Sequence, residues 1–152
     1  MTRYGMAIDL ARCIGCHTCA IACKMANNLP KDVHYNRINT VGGDSMDTAA
    51  GEYPNCTMSF LPVQCQHCAE PACVGVCPTG ATAKDEESGI VTVDSELCIG
   101  CESCIKACPY EGVRTLIKNP EYYLEVMVGE YQDPPQKGGT VEKCTFCKNL
   151  ID

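Results

Sequence analysis

Cysteine is the residue of this sequence whose number and spacing could do chemistry. The chain has 152 residues, of which 15 are cysteines, and 14 of these fall into four groups. Groups one to four are, in order, Cys13, Cys16, Cys19 and Cys23; Cys65, Cys68, Cys73 and Cys77; Cys98, Cys101, Cys104 and Cys108; and Cys144 with Cys147. Thiols so closely spaced are typical of disulfide frameworks, zinc sites and iron–sulfur clusters.

The N-terminal segment and the charge narrow the choice of compartment and partner. MTRYGMAIDLARC has neither the apolar stretch nor the small-residue cleavage site of a secretory signal, and a disulfide framework needs an oxidising compartment. No apolar stretch approaches the length of a membrane span. The net charge is −7 without any basic run, which argues against a nucleic-acid partner. We therefore expect metal ligands in a protein with no direct membrane insertion.

Proline follows the last cysteine of two groups, at Cys77 and at Cys108. Zinc knuckles usually consist of two Cys-x2-Cys pairs separated by a longer loop. In two-cluster bacterial ferredoxins, three closely spaced cysteines bind one cubane and a fourth binds the other cubane. The spacing therefore predicts [4Fe–4S] clusters for groups two and three, with structural zinc or disulfides as alternatives. For Cys144 and Cys147 alone, a cluster and a zinc or redox site are equally open.

Two residues of each Cys-Ile-Gly-Cys loop have expected roles around a cluster. Gly15 and Gly100 lie between ligands, where a positive φ or a close approach to a cluster is easiest without a side chain. Ile14 and Ile99 are expected to cover the clusters and exclude water, because a dry shell tunes the potential of a metal site.

An internal repeat relates groups one and three. CIGCHTCAIAC (13–23) and CIGCESCIKAC (98–108) agree at seven of eleven positions, and Asp9 and Asp94 each stand four residues before the first cysteine. The preceding GMAID and GIVTVD predict strands, so each unit should consist of a strand, a cysteine loop and a short helix. Such a repeat indicates duplication.

Further strands are predicted between and after the groups. VHYNRINTV (33–41) and CTMSFLPV (56–63) predict a hairpin-like excursion, and GVRTLI (112–117) predicts one more strand. EYYLEVMVGEY (121–131) fits helix and strand equally poorly.

Four residues near the groups have competing interpretations. Cys56 belongs to no group, and a buried thiol without a metal is the simplest interpretation. His17 and His67 lie inside cysteine loops, where surface positions or hydrogen bonds near a cluster are favoured over metal ligation. Lys24 replaces the proline of groups two and three, and a solvent-exposed lysine is favoured over one beside a cluster or a partner's cofactor. We recognise neither a nucleophile with an adjacent base nor a phosphate-binding loop, so no catalytic residue is assigned.

Four cysteine-containing segments follow one another in a fixed order. They are the N-terminal MAIDLARCIGCHTCAIACK, then CQHCAEPACVGVCPTGA, CIGCESCIKACPYEGV and EKCTFC. Over essentially its whole length the chain resembles the iron–sulfur subunit of molybdopterin oxidoreductases, in the dimethyl-sulfoxide-reductase superfamily. This resemblance implies an α+β, duplicated, two-cluster ferredoxin-like fold with short strands, short helices and long loops. It also implies up to four [4Fe–4S] clusters, arranged in a line as two pairs.

The resemblance implies which cysteines share a cluster. One cluster would be held by Cys65, Cys68, Cys73 and Cys108. Its partner would be held by Cys98, Cys101, Cys104 and Cys77. The third would be held by Cys13, Cys16 and Cys19. The fourth would be held in part by Cys144, Cys147 and Cys23.

The chain departs from the family pattern after Cys147, because the family has two more cysteines downstream and this sequence ends at Asp152. We expect either a fragment or two incomplete clusters, with two clusters complete from this chain alone. The corresponding regions are 1–30 with 112–152 for the outer, incomplete pair and 60–111 for the central pair. Residues 31–59 form the excursion.

The function implied by the resemblance is electron transfer without catalysis. The chain would relay single electrons to or from a molybdopterin catalytic subunit in anaerobic respiration, with a membrane anchor or quinol-side subunit as a further partner. The compartment would be cytoplasmic, or periplasmic if the chain is exported together with a partner. A free soluble polyferredoxin and a zinc-binding interaction module are the alternatives. The substrate belongs to the partner enzyme.

Overall fold

The structure is a computed structural model, and it describes residues 3–123 and 133–151. The α-helices in these ranges are α1 (Thr18–Ala26), α2 (Ala72–Gly75), α3 (Ser103–Lys106) and α4 (Lys148–Ile151). The strands are β1 (Asn36–Val41), β2 (Ser59–Gln64), β3 (Thr82–Lys84), β4 (Val91–Val93), β5 (Arg114–Ile117) and β6 (Thr140–Lys143). A 3-10 turn covers Leu10–Arg12. The predicted α+β class is therefore confirmed.

The strands form three separate antiparallel pairs, β1 with β2, β3 with β4, and β5 with β6. The predicted strands at 33–41, 56–63, 89–94 and 112–117 are all confirmed, each shorter than its sequence pattern. In the third pair, Arg114 is the register partner of Lys143. Strand β4 also contacts β6, and α3 contacts β5, which brings the second and third cysteine groups against the C-terminal hairpin.

The strand predicted before group one is wrong. Residues 5–9 pair with no strand in the described parts of the chain, and the 3-10 turn follows them directly. The equivalent segment before group three does form a strand, β4, because β3 lies beside it as an antiparallel partner. Without such a partner the backbone hydrogen bonds of a strand cannot form. The segment at 121–131 lies outside the described residues from residue 124 onward.

Helix length follows from the residue after the last cysteine of each group. Helices α2 and α3 have four residues each, and Pro78 and Pro109 follow shortly afterwards. Proline lacks the N–H that a continuing helix requires. Helix α1, in which Lys24 takes the place of proline, continues to Ala26 and has nine residues. None of the described helices is long and apolar enough to cross a membrane.

Lys24 is buried, so the solvent-exposed position favoured from the sequence is wrong. Its Nζ donates hydrogen bonds to the carbonyl oxygens of Pro30 at 2.5 Å, Lys31 at 2.8 Å and Val33 at 2.8 Å. All three ammonium donors are thereby used within the loop after α1. The side chain holds the turn that leads from α1 to β1, and it is a structural residue.

Thiols make up part of the hydrophobic core. One buried cluster contains Leu29, Val33, Tyr35, Cys65, Ile117 and Cys144, with Cys23 packed against it. A second buried cluster contains Cys73, Val91, Cys104 and Val141, with Cys98 among the residues around it. Each core cluster therefore combines cysteines from different groups, and folding places those groups side by side.

Candidate functional site

Cysteines of groups two and three line one cavity, here called the central cavity. The thiol-bearing residues of its wall are Cys65, Cys68, Cys73 and Cys108. Helix α3 positions Cys108, and α3 packs directly against α2, which follows Cys68 and carries Cys73. Burial raises the pKa of Cys73, while Arg114 opposes this shift and Cys65 and Cys108 add to it. The four cysteines assigned to one cluster are thus close neighbours.

Cys77 of group two lies beside group three. The hydrogen bond between Cys101 and Ser103, at 3.4 Å, lowers the pKa of Cys101. The charge of Cys77 is close enough to act on the same pKa in the opposite direction. Cys104 shares a buried core with Cys73, and Cys98 packs against the same core. The structure therefore brings these residues of the second predicted set into one region, next to the first.

Backbone amides donate to three of the cysteine sulfurs, each at 3.4 Å. The donor–acceptor pairs are Thr82 N to Cys77 Sγ, Val141 N to Cys98 Sγ and Phe146 N to Cys144 Sγ. Slight burial acts to raise the pKa of Cys77, but hydrogen bonds from Thr82 and Thr79 outweigh this effect and lower the pKa to about 7. Such bonds favour the thiolate, which is the form that binds metal, and they are among the features that set a cluster's potential.

Groups one and four meet through Cys23. Burial, followed by the charges of Cys144, Cys147 and Cys19, raises the pKa of Cys23 to about 12. Asn27 Nδ2 donates to Cys23 Sγ at 3.5 Å. The C-terminal pair, for which the sequence leaves cluster and zinc equally open, thus lies beside the last cysteine of group one.

The loops of groups one and three have the same backbone signature. Gly15 and Gly100 have φ values of 70° and 67°, as expected for glycine in these loops. A side chain on Gly15 would clash with the ring of Phe60, and one on Gly100 would clash with the carbonyl oxygen of Gly139. In each loop the residue before the helix is also left-handed, at His17 (57°) and at the equivalent residue of group three.

The repeat extends to the aspartates that precede groups one and three. Asp9 Oδ1 accepts from Ala11 N at 3.0 Å, and Asp94 Oδ1 accepts from Glu96 N at 2.8 Å. Each carboxylate thus makes a hydrogen bond to the amide two residues later, which is a local turn typical of aspartate. Cys13 and Cys16 follow the first of these turns, on the loop that leads into α1, and Cys16 is exposed.

Two buried cations beside the cysteines were missed in the sequence. Arg114 Nη2 donates to Cys73 Sγ at 2.9 Å. Lys143 Nζ donates to the carbonyl oxygen of Cys144 at 2.8 Å and to that of Val91. Burial lowers the pKa of Lys143, whereas the thiolates of Cys65, Cys144 and Cys73 act to raise it. A signal was available, since each cation stands in or beside an apolar strand pattern, at GVRTLI and at TVEKC.

His67 lies between the central and C-terminal cysteines. Its Nδ1 accepts from Val91 N at 2.9 Å, and its ring meets that of Phe146 edge to face, with centroids 5.2 Å apart. Burial, then Lys143 and Arg114, lower the pKa of His67 to about 4. The imidazole is therefore neutral. Since Nδ1 is occupied as an acceptor, the neutral ring carries its proton on Nε2.

One expectation about burial is wrong. Cys56 is exposed, not buried, because it lies in the loop before β2 and not in that strand. Ile14 and Ile99, expected to cover the clusters, are 77% and 65% exposed in the chain alone. Periodicity could not reveal either result, since both depend on which other elements pack on those loops.

The donor set agrees with a cubane. Four thiols in one wall supply the four-cysteine ligand set that holds a [4Fe–4S] cluster, and all fifteen cysteines are free thiols. Over residues 3–123 and 133–151, no three His, Cys, Asp or Glu side chains converge as one metal ion requires. A cubane takes each thiolate on a different iron atom, so its ligands stand further apart than those of a single zinc ion.

Two family models match the chain. A 4Fe-4S dicluster domain matches residues 56–121, which include groups two and three. A 4Fe-4S binding domain matches residues 10–26, which include group one. Together with the thiol-lined cavity, these matches show that the cofactors of this chain are [4Fe–4S] clusters.

Curated relatives cover nearly the same sequence. The arsenate respiratory reductase iron-sulfur subunit ArrB of Shewanella sp. is 32% identical over 99% of this chain and 73% of its own length. A selenate reductase subunit of Mesobacillus selenatarsenatis is 39% identical over 96% of this chain and 52% of its own length. One polypeptide of the anaerobic dimethyl sulfoxide reductase of Escherichia coli is 44% identical over 72% and 53%. The sequence thus spans about half the length of the last two relatives, and it belongs to the iron–sulfur subunits of molybdopterin oxidoreductases.

Proposed function

We propose that this chain is a non-catalytic electron-transfer subunit of an anaerobic respiratory oxidoreductase. It relays single electrons through a row of [4Fe–4S] clusters to or from a molybdopterin-containing catalytic subunit. The observation that carries this proposal is the central cavity lined by Cys65, Cys68, Cys73 and Cys108, in which two cysteine groups contribute to one ligand set. Such sharing links two clusters closely, as one-electron transfer in series requires.

The proposed ligand sets follow the neighbours described above. One cluster is held by Cys65, Cys68, Cys73 and Cys108. Its partner is held by Cys98, Cys101, Cys104 and Cys77. The outer pair draws on Cys13, Cys16 and Cys19 for one cluster. The other outer cluster draws on Cys144, Cys147 and Cys23. The last ligand of three of these sets is supported by proximity: Cys108 shares a cavity wall with the rest of its set, Cys77 lies near Cys101, and Cys23 lies near Cys144 and Cys147.

The fold that we propose for these sets is a duplicated two-cluster ferredoxin-like unit. The matching left-handed residues, glycines and aspartate turns of groups one and three support a common ancestor for the two loops. In this scheme residues 60–111 hold the central pair, 1–30 with 112–152 contribute to the outer pair, and 31–59 contain most of the β1–β2 hairpin. When bound, the clusters supply reversible one-electron chemistry.

The polypeptide contributes ligands, hydrogen bonds and insulation from water. Amides of β3 and β6 donate to cysteine sulfurs, and apolar Val91 and Val113 line the central cavity. These features act on potential and on water access, two of the levers by which a protein tunes a cluster. Substrate chemistry is assigned to the catalytic partner, and a membrane anchor or quinol-side subunit completes the proposed complex. The compartment follows the catalytic subunit, in the cytoplasm or, after joint export, in the periplasm.

The test of this proposal is purification of the tagged protein from its anaerobically grown host. We expect a molybdenum-containing protein to co-purify in roughly equimolar amount, together with iron and acid-labile sulfide. An untagged strain serves as the control for adventitious binding. Recovery of the chain alone with its clusters would instead favour a free polyferredoxin. Recovery with zinc and no sulfide would favour a zinc-binding module.

A further inference from the structure

Arg114 and Lys143 are buried cations that face each other across β5 and β6. They are register partners in the antiparallel pair and are only 4% and 2% exposed. Each lies against cysteines of a different group. Arg114 lines the central cavity and donates to Cys73 Sγ at 2.9 Å. Lys143 directly precedes Cys144 and donates to its carbonyl oxygen at 2.8 Å.

Neither cation forms an ion pair with a carboxylate in the described parts of the chain. None of the ion pairs found among the described residues includes Arg114 or Lys143. Nη1 of Arg114 is buried and has no hydrogen-bond partner within the same part of the chain. Burial of an unpaired charge is costly, and two cations side by side repel each other. The carboxylate of Glu142 lies near Lys143, and it accepts a hydrogen bond from Tyr35 at 3.0 Å. The other nearby groups that can balance the two cations are the thiolates of Cys65, Cys73 and Cys144.

We propose that Arg114 and Lys143 form a buried cation pair that raises the reduction potentials of the clusters on either side of it. This inference rests on the proposed function. Arg114 acts on the cluster of Cys65, Cys68, Cys73 and Cys108. Lys143 acts on the same cluster and on the one held in part by Cys144. The pair thus sets the energy of the step between the central and the outer pair.

The direction of the effect follows from charge. Reduction by one electron adds one negative charge to a cluster, and a fixed neighbouring cation stabilises that charge. The attraction is strong because both side chains are buried, where the effective dielectric constant is far below that of water. Net charge and hydrogen bonds to sulfur are established levers on cluster potential, and Arg114 provides both through its contact with Cys73.

The experiment is an EPR-monitored redox titration of the protein purified anaerobically with its clusters. The charge-removing variants are Lys143→Met and Arg114→Gln, and the charge-keeping variants are Lys143→Arg and Arg114→Lys. The matched control is Lys118→Met, which removes an exposed lysine just after β5. Iron and sulfide per chain are measured for every variant.

We expect both charge-removing variants to shift the midpoint potential of a cluster downward. The oxidised form should be favoured by at least about tenfold, which for one electron corresponds to about 59 mV. Lys143→Arg should keep the midpoint potential close to that of the unmodified protein, and Lys118→Met should leave it unchanged. A purely structural role would alter iron content without this ordered shift. If Lys143→Met loses its iron, the comparison of Arg114→Gln with Arg114→Lys decides the question in the same way.

Unchanged midpoints at full iron content in Arg114→Gln and Lys143→Met would overturn the proposal. So would equal shifts in charge-removing and charge-keeping variants. Failure of the proposed function would look different, because the unmodified protein itself would then lack iron and sulfide or would lack a molybdenum-containing partner.

Discussion

Cys108, the last cysteine of group three, lines the same cavity as Cys73 of group two. The short helices α2 and α3 pack against each other; Cys73 lies on α2, and Cys108 follows the end of α3. The proposed sharing of ligands between the two neighbouring cysteine groups would follow from this helix packing. It requires no long-range rearrangement of either loop.

This relationship predicts which variants behave alike. Cys108→Ser and Cys73→Ser should disturb the same EPR signal, whereas Cys104→Ser should disturb a different one. The reason is that we propose Cys108 as a ligand of the cluster of group two and not of the cluster of its own group. Cys56→Ser is the control, and it should leave iron content unchanged, because Cys56 is exposed and belongs to no group. A cluster-loaded structure with Cys108 on an iron of the Cys98 cluster would contradict this prediction.

Gly100→Ala should lower the stability of the loop of group three. Its φ of 67° is unfavourable for alanine, and the new Cβ would meet the carbonyl oxygen of Gly139. We expect the free energy of unfolding to fall by about 1–3 kcal/mol, measured by denaturant titration. Gly75→Ala is the control, since nothing lies within 4 Å of its Cβ position in α2, and it should change stability by less than about 1 kcal/mol. Equal losses in both variants would show that loop geometry is not the cause.

Lys24→Met should destabilise the fold without changing cluster potentials. The substitution leaves the carbonyl oxygens of Pro30 and Val33 without their ammonium donor. Loss of a hydrogen bond to a charged group costs about 1.5–3 kcal/mol, which a denaturation midpoint would report. Redox titration of the same variant should give the potentials of the unmodified protein. A shift as large as that of Lys143→Met would place Lys24 beside a cluster after all.

Removal of iron should destabilise the core. Cys65, Cys73, Cys104 and Cys144 are buried, and they are all proposed ligands, so the clusters should contribute directly to folding. We expect an iron chelator under reducing conditions to lower the denaturation midpoint followed by circular dichroism. The same chelator saturated with iron beforehand is the control. An unchanged midpoint after complete loss of iron would mean that the polypeptide folds independently of its clusters.

Local features of the sequence predicted most of the candidate site. Cysteine spacing, the glycines between ligands and the Cys-Pro steps depend on neighbouring residues only, and Gly15, Gly100, α2 and α3 have the expected form. Strands β1, β2, β4 and β5 were also predictable, because their hydrophobic patterns are short but clear, as in GVRTLI. Strands β3 and β6 were not predicted.

The failures depend on which other segments pack on a residue. Lys24 is buried because the loop after α1 folds back over it, and Ile14 is exposed because none of the described elements covers it. Arg114 and Lys143 become a pair only through the register of β5 and β6. Residues 5–9 have no strand partner within residues 3–123 and 133–151, although their pattern requires one. Periodicity reports the preference of a segment and not the presence of a partner.

The function proposed for this chain depends on redox-active [4Fe–4S] clusters that transfer single electrons. Its most direct test is analysis of iron, acid-labile sulfide and zinc in anaerobically purified protein, with EPR spectra recorded on the same sample before and after reduction. We expect iron and sulfide in equal amounts, little zinc, and EPR signals of the clusters that appear on reduction and disappear on reoxidation. A colourless protein with stoichiometric zinc, no sulfide and no such signals would contradict it.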